Sequence, residues 1–210
     1  MGGGILASRA LGAKDKKRAD TLVTYSFFFS LLIGVLLAVF GIIFNKSIMR
    51  TLGATETILP FALSYAQYIF LASPFMIGSY VLNNILRSEG KAFYAMVGIT
   101  TGGVLNIILD QFFIFGLNLG TAGAAIATAL SQAISFFILL YAFIAGKSEA
   151  DIVPSLLHSS PVILIDILKT GLPSLARQGL ASIATIFLNR SAAIYGDAAI
   201  AAMSITGRVT

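Results

Sequence analysis

The sequence predicts an all-α polytopic membrane protein, and two observations carry this prediction. The 210 residues are 57% hydrophobic and only 11% charged, whereas a soluble domain usually carries about 25% charged residues. Five apolar runs are also long enough to cross a bilayer, which takes about 20 residues of helix. Most of the surface is therefore expected to face lipid.

The five runs are bounded by charged or turn residues, as membrane-spanning helices usually are. They extend from Asp20 to Phe44, Ile58 to Leu82, Phe93 to Phe115, Thr121 to Ala145 and Leu172 to Tyr195. Two shorter runs, Met1 to Leu11 and Ala198 to Thr210, cannot span. We interpret both as parts of helices cut by the chain ends, so we expect a piece of a longer protein.

Basic residues predict the orientation, because Lys and Arg are enriched on cytoplasmic loops. The first loop holds Lys14, Lys16, Lys17 and Arg18, so it is placed inside. If successive loops alternate between the two sides of the membrane, nine basic residues lie in or beside the inner connections. Two, Lys46 and Arg50, lie in the outer ones. A multi-pass protein of the plasma (inner) membrane is predicted.

The segment 147–170 is predicted to divide the chain. It is longer than the other connections, contains Pro154 and Pro161, and carries an apolar stretch, Val162 to Leu168, too short to span. An interfacial helix is expected there. The domains are therefore 1–146, an amino-terminal transmembrane lobe; 147–170, a cytoplasmic linker; and 171–210, the start of a carboxy-terminal lobe.

Asp110 is the principal candidate for function. An Asp at the centre of a spanning helix costs about 2.5–3.5 kcal/mol on insertion scales, so its presence needs a reason. Asn106 lies four residues earlier, and the two side chains project from one helical face. Gly102 and Gly103 are expected to continue this face and to admit a neighbouring helix.

The tight turn Gly116 to Gly120 identifies that neighbour. With Asn118 at the centre of the turn, Asp110 and Thr128 differ in depth by only about 3 Å at ~1.5 Å per residue. Thr128 shares a face with Ala124, Ser131 and Ser135, which are small enough to pack against glycines. Asp110, Asn106 and Thr128 are therefore expected to converge.

All three residues can present oxygen, which a hard cation such as Na⁺ requires. They form the predicted cation-binding and metal site, for Na⁺ only. The Asp110 carboxylate could instead hold a proton, because a low dielectric favours the neutral acid. It could also be a hydrogen-bonded strut between two helices.

Other functions are disfavoured by composition. The charges, net +5, fall in short clusters rather than along one face, so no nucleic-acid partner is predicted. The absence of Cys and the single His remove most metal and catalytic-triad arrangements, and one isolated intramembrane acid does not supply the paired groups that an intramembrane hydrolase needs. The protein is predicted not to be an enzyme and to need no cofactor apart from a coupling Na⁺ or H⁺.

Five short motifs occur in order along the chain. They are Ser8-Arg9-Ala10-Leu11-Gly12-Ala13, Asn84-Ile85-Leu86-Arg87-Ser88-Glu89-Gly90, Leu105-Asn106-Ile107-Ile108-Leu109-Asp110, Gly123-Ala124-Ala125-Ile126-Ala127-Thr128, and Gly171-Leu172-Pro173 with Tyr195-Gly196-Asp197-Ala198. In this order and at these spacings they resemble the multidrug and toxic compound extrusion family. The resemblance implies two six-helix lobes, of which this chain holds part of helix 2, helices 3–7 and part of helix 8. It implies a cation site at Asn106, Asp110 and Thr128, completed by an acidic residue of the first helix. Gln111 replaces a proline that many members have, so the local bend is an open question.

The resemblance also implies function and partners. The parent would be an antiporter that exports organic, often cationic, compounds in exchange for Na⁺ or H⁺ by alternating access. Its partners would be small organic substrates and the lipid bilayer, with a monomer expected; no substrate-binding residue is assigned. Two alternatives stay open, namely a lipid-linked precursor flippase of the same superfamily and a structural membrane subunit without transport.

Overall fold

The computed structural model describes residues 2–158 and 162–193, which form helices joined by short turns. The helices are α1 (Gly2–Gly12), α2 (Lys16–Ile43), α3 (Asn45–Thr51), α4 (Leu59–Ser88), α5 (Ala92–Asp110), α6 (Gly120–Ile144) and α7 (Val162–Ala193). A π-helical segment, Gln111–Gly116, extends α5, and a 3-10 helix, Pro154–His158, precedes α7. The predicted all-α class is confirmed.

Four of the predicted spans are confirmed. Within the described residues, four helices are long and apolar enough to cross a membrane: α2, α4, α5 with its π segment, and α6. The fifth predicted span, Leu172 to Tyr195, is not among them. It lies largely in α7, which includes Arg177 and Arg190. The last predicted run, Ala198 to Thr210, lies outside the described residues.

Helix α4 lies at the centre of the lobe, where it packs against α1, α2, α5 and α6. Its inner half supplies Leu82, Ile85 and Leu86, which are fully buried, and α6 adds the equally buried Leu139. Each helix contributes one of its sides to this apolar core. The opposite sides of the spanning helices remain exposed, as expected of surfaces that face lipid.

Small residues allow the helices to approach closely. A Cβ on Gly34 of α2 would lie 2.4 Å from the Cα of Pro74 in α4. Pro74 has no N–H for the Phe70 carbonyl four residues earlier. The hydroxyl of Ser73 lies 2.6 Å from that carbonyl oxygen and 2.9 Å from the Gly34 carbonyl oxygen. The proline is thus accommodated by local packing.

The glycines near the start of the chain have the same role. A Cβ on Gly3 would collide with the Ser26 side chain, and one on Gly4 with the Ser88 side chain. On Gly2 it would lie 2.3 Å from the Ile167 carbonyl oxygen of α7. The run Met1 to Leu11 is therefore helical from Gly2, and its glycines allow close contact with the neighbouring helices.

The stretch Val162 to Leu168, where an interfacial helix was predicted, is not a separate helix. It is the first part of α7, which continues through Gly171 and Pro173. The segment packs against the glycines of α1. The predicted boundary between residues 170 and 171 therefore falls within one helix.

The first part of the predicted linker lies against the amino-terminal part of α2 and the turn after α4. The Glu89 carboxylate accepts hydrogen bonds from the Ser148 hydroxyl and from the backbone N–H groups of Glu149 and Ala150. Two α2 side chains accept further backbone bonds: Asp20 from Asp151 at 2.8 Å and Thr24 from Val153 at 2.9 Å. Ion pairs join Lys91 to Glu149 and Lys16 to Asp151.

Candidate functional site

Two of the three predicted site residues meet directly. The Asn106 amide donates a hydrogen bond to the Thr128 hydroxyl at 3.3 Å, and that hydroxyl donates to the Ala124 carbonyl oxygen at 2.9 Å. The predicted turn brings them together, with Asn118 and Gly120 both at positive φ, 54° and 52°. The Asn106 carbonyl oxygen and a Thr128 lone pair remain available for a third partner.

Asp110 lies one helical turn beyond Asn106, about 6 Å further along the axis. It is half-buried, and its Oδ1 atom is fully buried without a hydrogen-bond partner. Leaving a buried acceptor unsatisfied costs about 1–3 kcal/mol, so such an atom in a membrane helix points to a missing partner. The structure gives Asp110 no hydrogen bond to Asn106 or Thr128.

The helix changes form directly after Asp110. From Gln111 to Gly116 the backbone is π-helical, and the Leu117 N–H closes the segment onto the Phe112 carbonyl oxygen at 3.0 Å. Single π segments of this kind occur frequently at functional sites. At Gln111, where the sequence left the local bend undecided, the helix thus changes from α to π form. This change requires no proline.

Serines of α6 line the contact between α5 and α6. The Ser135 hydroxyl donates to the Gly98 carbonyl oxygen at 2.8 Å, and a Cβ on Gly102 would lie 3.0 Å from the Ser135 Cβ. The predicted small-residue contact is therefore confirmed at Gly102. It is wrong at Gly103, which is exposed and meets nothing within 4 Å. Ser131 Oγ, buried in this contact, has no hydrogen-bond partner.

The donor set fits a hard cation or a proton. A carboxylate, an amide carbonyl and a hydroxyl offer oxygen only, and the orphaned Asp110 Oδ1 supplies the negative charge. The described residues contain no group of three or more His, Asp or Glu side chains suited to a metal. Asp110, Asn106 and Thr128 would therefore hold a weakly bound monovalent ion, or Asp110 a proton, with the remaining ligands from elsewhere.

A cavity that the sequence analysis missed opens beside this site. It measures about 390 Å³ and lies among α4, α5 and α6. Its lining residues are largely polar or aromatic: Ser79, Tyr80, Asn83, Asn84, Arg87, Gln132 and Ser135, with Met76, Ile99 and Gly102. Gly102 is one turn from Asn106, so the cavity adjoins the candidate site. The sequence signal that could have revealed this polar face is the spacing of Ser79, Asn83 and Arg87, which follow one another at four-residue intervals on one helix.

A second cavity of about 490 Å³ lies among α1, α2, α4 and α7. Its walls are mostly apolar and include Phe29, Ile33, Ile77 and Leu175. Asn84 lines both this cavity and the polar one. An amphipathic organic molecule would find apolar surface in one cavity and hydrogen-bonding groups in the other.

Comparison with known proteins identifies the same architecture. The MatE family model matches residues 1–112. Multidrug export protein MepA of Staphylococcus saprophyticus is 34% identical over the whole chain, which spans 46% of that protein. The inward-facing structure of a multidrug resistance MATE family transporter of the MOP superfamily is 36% identical with a TM-score of 0.85, covering 93% of this chain and 46% of the other.

A MATE structure in complex with Br-NRF is also similar, with 33% identity and a TM-score of 0.79. It covers 99% of this chain and 49% of the other. The chain thus spans about half the length of the relatives it matches. Sequence, helix arrangement and the family model agree, and the chain belongs to the MatE family of multi-pass membrane transporters.

Proposed function

We propose that the chain is part of a secondary active multidrug efflux antiporter, which exports organic compounds in exchange for Na⁺ or H⁺. One observation carries the proposal: the buried, unpartnered Oδ1 of Asp110 lies one turn from the Asn106–Thr128 pair. A charged carboxylate is costly inside a membrane, so a cation or proton that neutralises it stabilises the site. The ion would be bound, released and bound again in each transport cycle.

Coupling requires the ion to favour one conformation of the transporter over another, since equal affinity for two states shifts nothing. A π-helical segment begins at Gln111, directly beside the acid, and such segments occur frequently at functional sites. Loading Asp110 would change the charge at the junction of α5 with this segment. The adjoining cavity would transmit this change to the substrate.

The exported compound is expected to occupy the two cavities. Their shared residue, Asn84, lies where polar and apolar walls meet. The names of the relatives support this cargo, because the staphylococcal proteins are multidrug exporters and one MATE structure holds Br-NRF. Among the described residues, the 490 Å³ cavity is lined by no charged side chain and the 390 Å³ cavity by one, Arg87. A lipid-linked precursor with an anionic headgroup would need several basic partners, so this lining disfavours it.

The test uses the full-length transporter in proteoliposomes. Asp110→Asn should abolish the dependence of dye efflux on Na⁺ and pH gradients, because the amide cannot carry the exchanged charge. Asp166→Asn, a matched change in α7 away from this site, should leave the gradient dependence intact. Gradient-driven efflux that persists in Asp110→Asn would refute the coupling role.

A further inference from the structure

The basic residues on the predicted outer side converge on one cavity. In the described part of the chain this side carries three of them, Lys46 and Arg50 of α3 and Arg190 near the end of α7. All three line a cavity of about 460 Å³. The backbone of Arg190 is held against the outer turn, since a Cβ on Gly53 would lie 3.5 Å from its nitrogen. Residues far apart in sequence thus produce one positive site.

The short helix α3 was not predicted, and it is amphipathic. Lys46, Ser47, Arg50 and Thr51 face the basic cavity. The Thr51 hydroxyl donates to the Ser47 carbonyl oxygen at 2.9 Å, so its proton is already used within the helix. An anion would meet the cationic donors of Lys46 and Arg50 together with the Ser47 hydroxyl, the combination that suits phosphate.

The opposite face of α3 borders an apolar groove of about 500 Å³ between α3 and α4. Ile48 and Met49 form one wall, and Phe61 and Tyr65 the other. A positive cavity and an apolar groove on the two sides of one helix match the two parts of a phospholipid.

The charge balance of the cavity remains positive. Arg50 pairs with Glu56 at 2.9 Å, and both side chains are more than half exposed. The pair neutralises one of the three cations, and no acid is among the described residues that line the cavity. The positive-inside rule disfavours basic residues on this side, so their convergence needs a reason other than topology.

We propose that this cavity binds the phosphate headgroup of an anionic phospholipid of the outer leaflet. Lys46, Arg190 and the free N–H groups of Arg50 would contact the phosphate. One acyl chain would lie along Ile43 and Phe44, which are 67% and 51% exposed at the outer end of α2. The other would enter the groove under α3. The bound lipid would tie α7 to the α3–α4 turn, and this role does not depend on the coupling ion.

The experiment is native mass spectrometry of the full-length transporter titrated with short-chain phosphatidylglycerol, phosphatidylcholine or inorganic phosphate. Phosphatidylglycerol should bind preferentially. Each positive charge removed should weaken it about fivefold, the factor for one basic residue at an anionic lipid surface. Lys46→Gln with Arg190→Gln should therefore cost about 25-fold, whereas the charge-preserving Lys46→Arg with Arg190→Lys should bind as the wild type does.

Two further measurements distinguish a loss of binding from a loss of folding. Glu56→Gln should strengthen binding, because it frees Arg50, and a misfolded variant would not bind more tightly. Phosphatidylglycerol with a photoreactive acyl chain should label residues 48–61 in the wild-type protein. Equal binding of phosphatidylcholine, displacement by inorganic phosphate at concentrations similar to those of the lipid, or labelling confined to other helices would overturn the proposal.

Discussion

The Ser148 hydroxyl donates a hydrogen bond of 2.7 Å to the carboxylate of Glu89, 59 residues earlier in the chain. The same carboxylate accepts the backbone N–H groups of Glu149 at 3.0 Å and Ala150 at 3.3 Å. Ala150 is fully buried. Glu89, in the turn after α4, therefore fixes the path of the chain as it leaves α6.

Replacing Glu89 should destabilise the lobe. In Glu89→Ala the Ser148 hydroxyl and two backbone N–H groups lose their acceptor, at a cost of about 1–3 kcal/mol in the free energy of unfolding. Glu56→Ala is the matched control, because its partner Arg50 is exposed and a surface ion pair contributes about 0–1 kcal/mol. Thermal unfolding in detergent measures both. Equal shifts for the two variants would contradict the anchoring role.

The effect of Glu89 should depend on pH. Burial raises the pKa of its carboxyl, more than the hydrogen bonds from Ser148, Glu149 and Ala150 lower it. The folded protein thus holds the proton more tightly than the unfolded chain. The resulting stabilisation is complete below the usual glutamate pKa and is lost as the pH rises through the raised pKa.

Glu89→Gln should remove this dependence. The wild type should therefore lose stability relative to the variant as the pH rises across that window. The neighbouring Glu149 has its pKa lowered by Lys91, but this pair is present in both proteins and its effect cancels. Unfolding midpoints of both proteins measured across acidic pH provide the comparison. A constant difference between them would show that the Glu89 pKa is not raised.

Gly34 should tolerate no side chain. In Gly34→Ala the new Cβ would lie 2.4 Å from backbone of Pro74, so α2 and α4 must separate, at a cost of about 1–3 kcal/mol. Gly103→Ala, in open space on α5, should be neutral or stabilising by up to about 1 kcal/mol through helix propensity. Thermal unfolding separates the two outcomes. A loss of stability in both would indicate that helix flexibility, and not contact, matters at Gly34.

Thr128 should contribute to ion coupling through its hydroxyl. Thr128→Val retains the shape but removes the acceptor for Asn106, so the concentration of ion needed for half-maximal efflux should rise in the full-length transporter. Thr128→Ser keeps the hydroxyl and should resemble the wild type. Gradient-dependent dye efflux in proteoliposomes measures this. Normal ion dependence in Thr128→Val would remove Thr128 from the proposed site.

The sequence alone determined the spanning helices α2, α4, α5 and α6 and the contact of α5 with α6 across the tight turn. It placed Asp110, Asn106 and Thr128 together, but only Asn106 and Thr128 form a hydrogen bond. The spans and the contact depend on local quantities: the apolar length needed to cross lipid, and the fixed rise per residue on either side of a tight turn. The π-helical segment after Asp110 has no such signature, because its helix type depends on packing against the start of α6, where a Cβ on Gly123 would lie 2.8 Å from the Phe113 carbonyl oxygen.

Only the tertiary structure decided which side of each helix meets a neighbour. Gly102 and Gly103 are equal in sequence terms, yet one is in contact and the other is open. The continuity of α7, the three linker groups held by Glu89 and the convergence of Lys46, Arg50 and Arg190 likewise depend on how helices cross. Periodicity defines the face of a helix, but the positions of its neighbours determine what that face contacts.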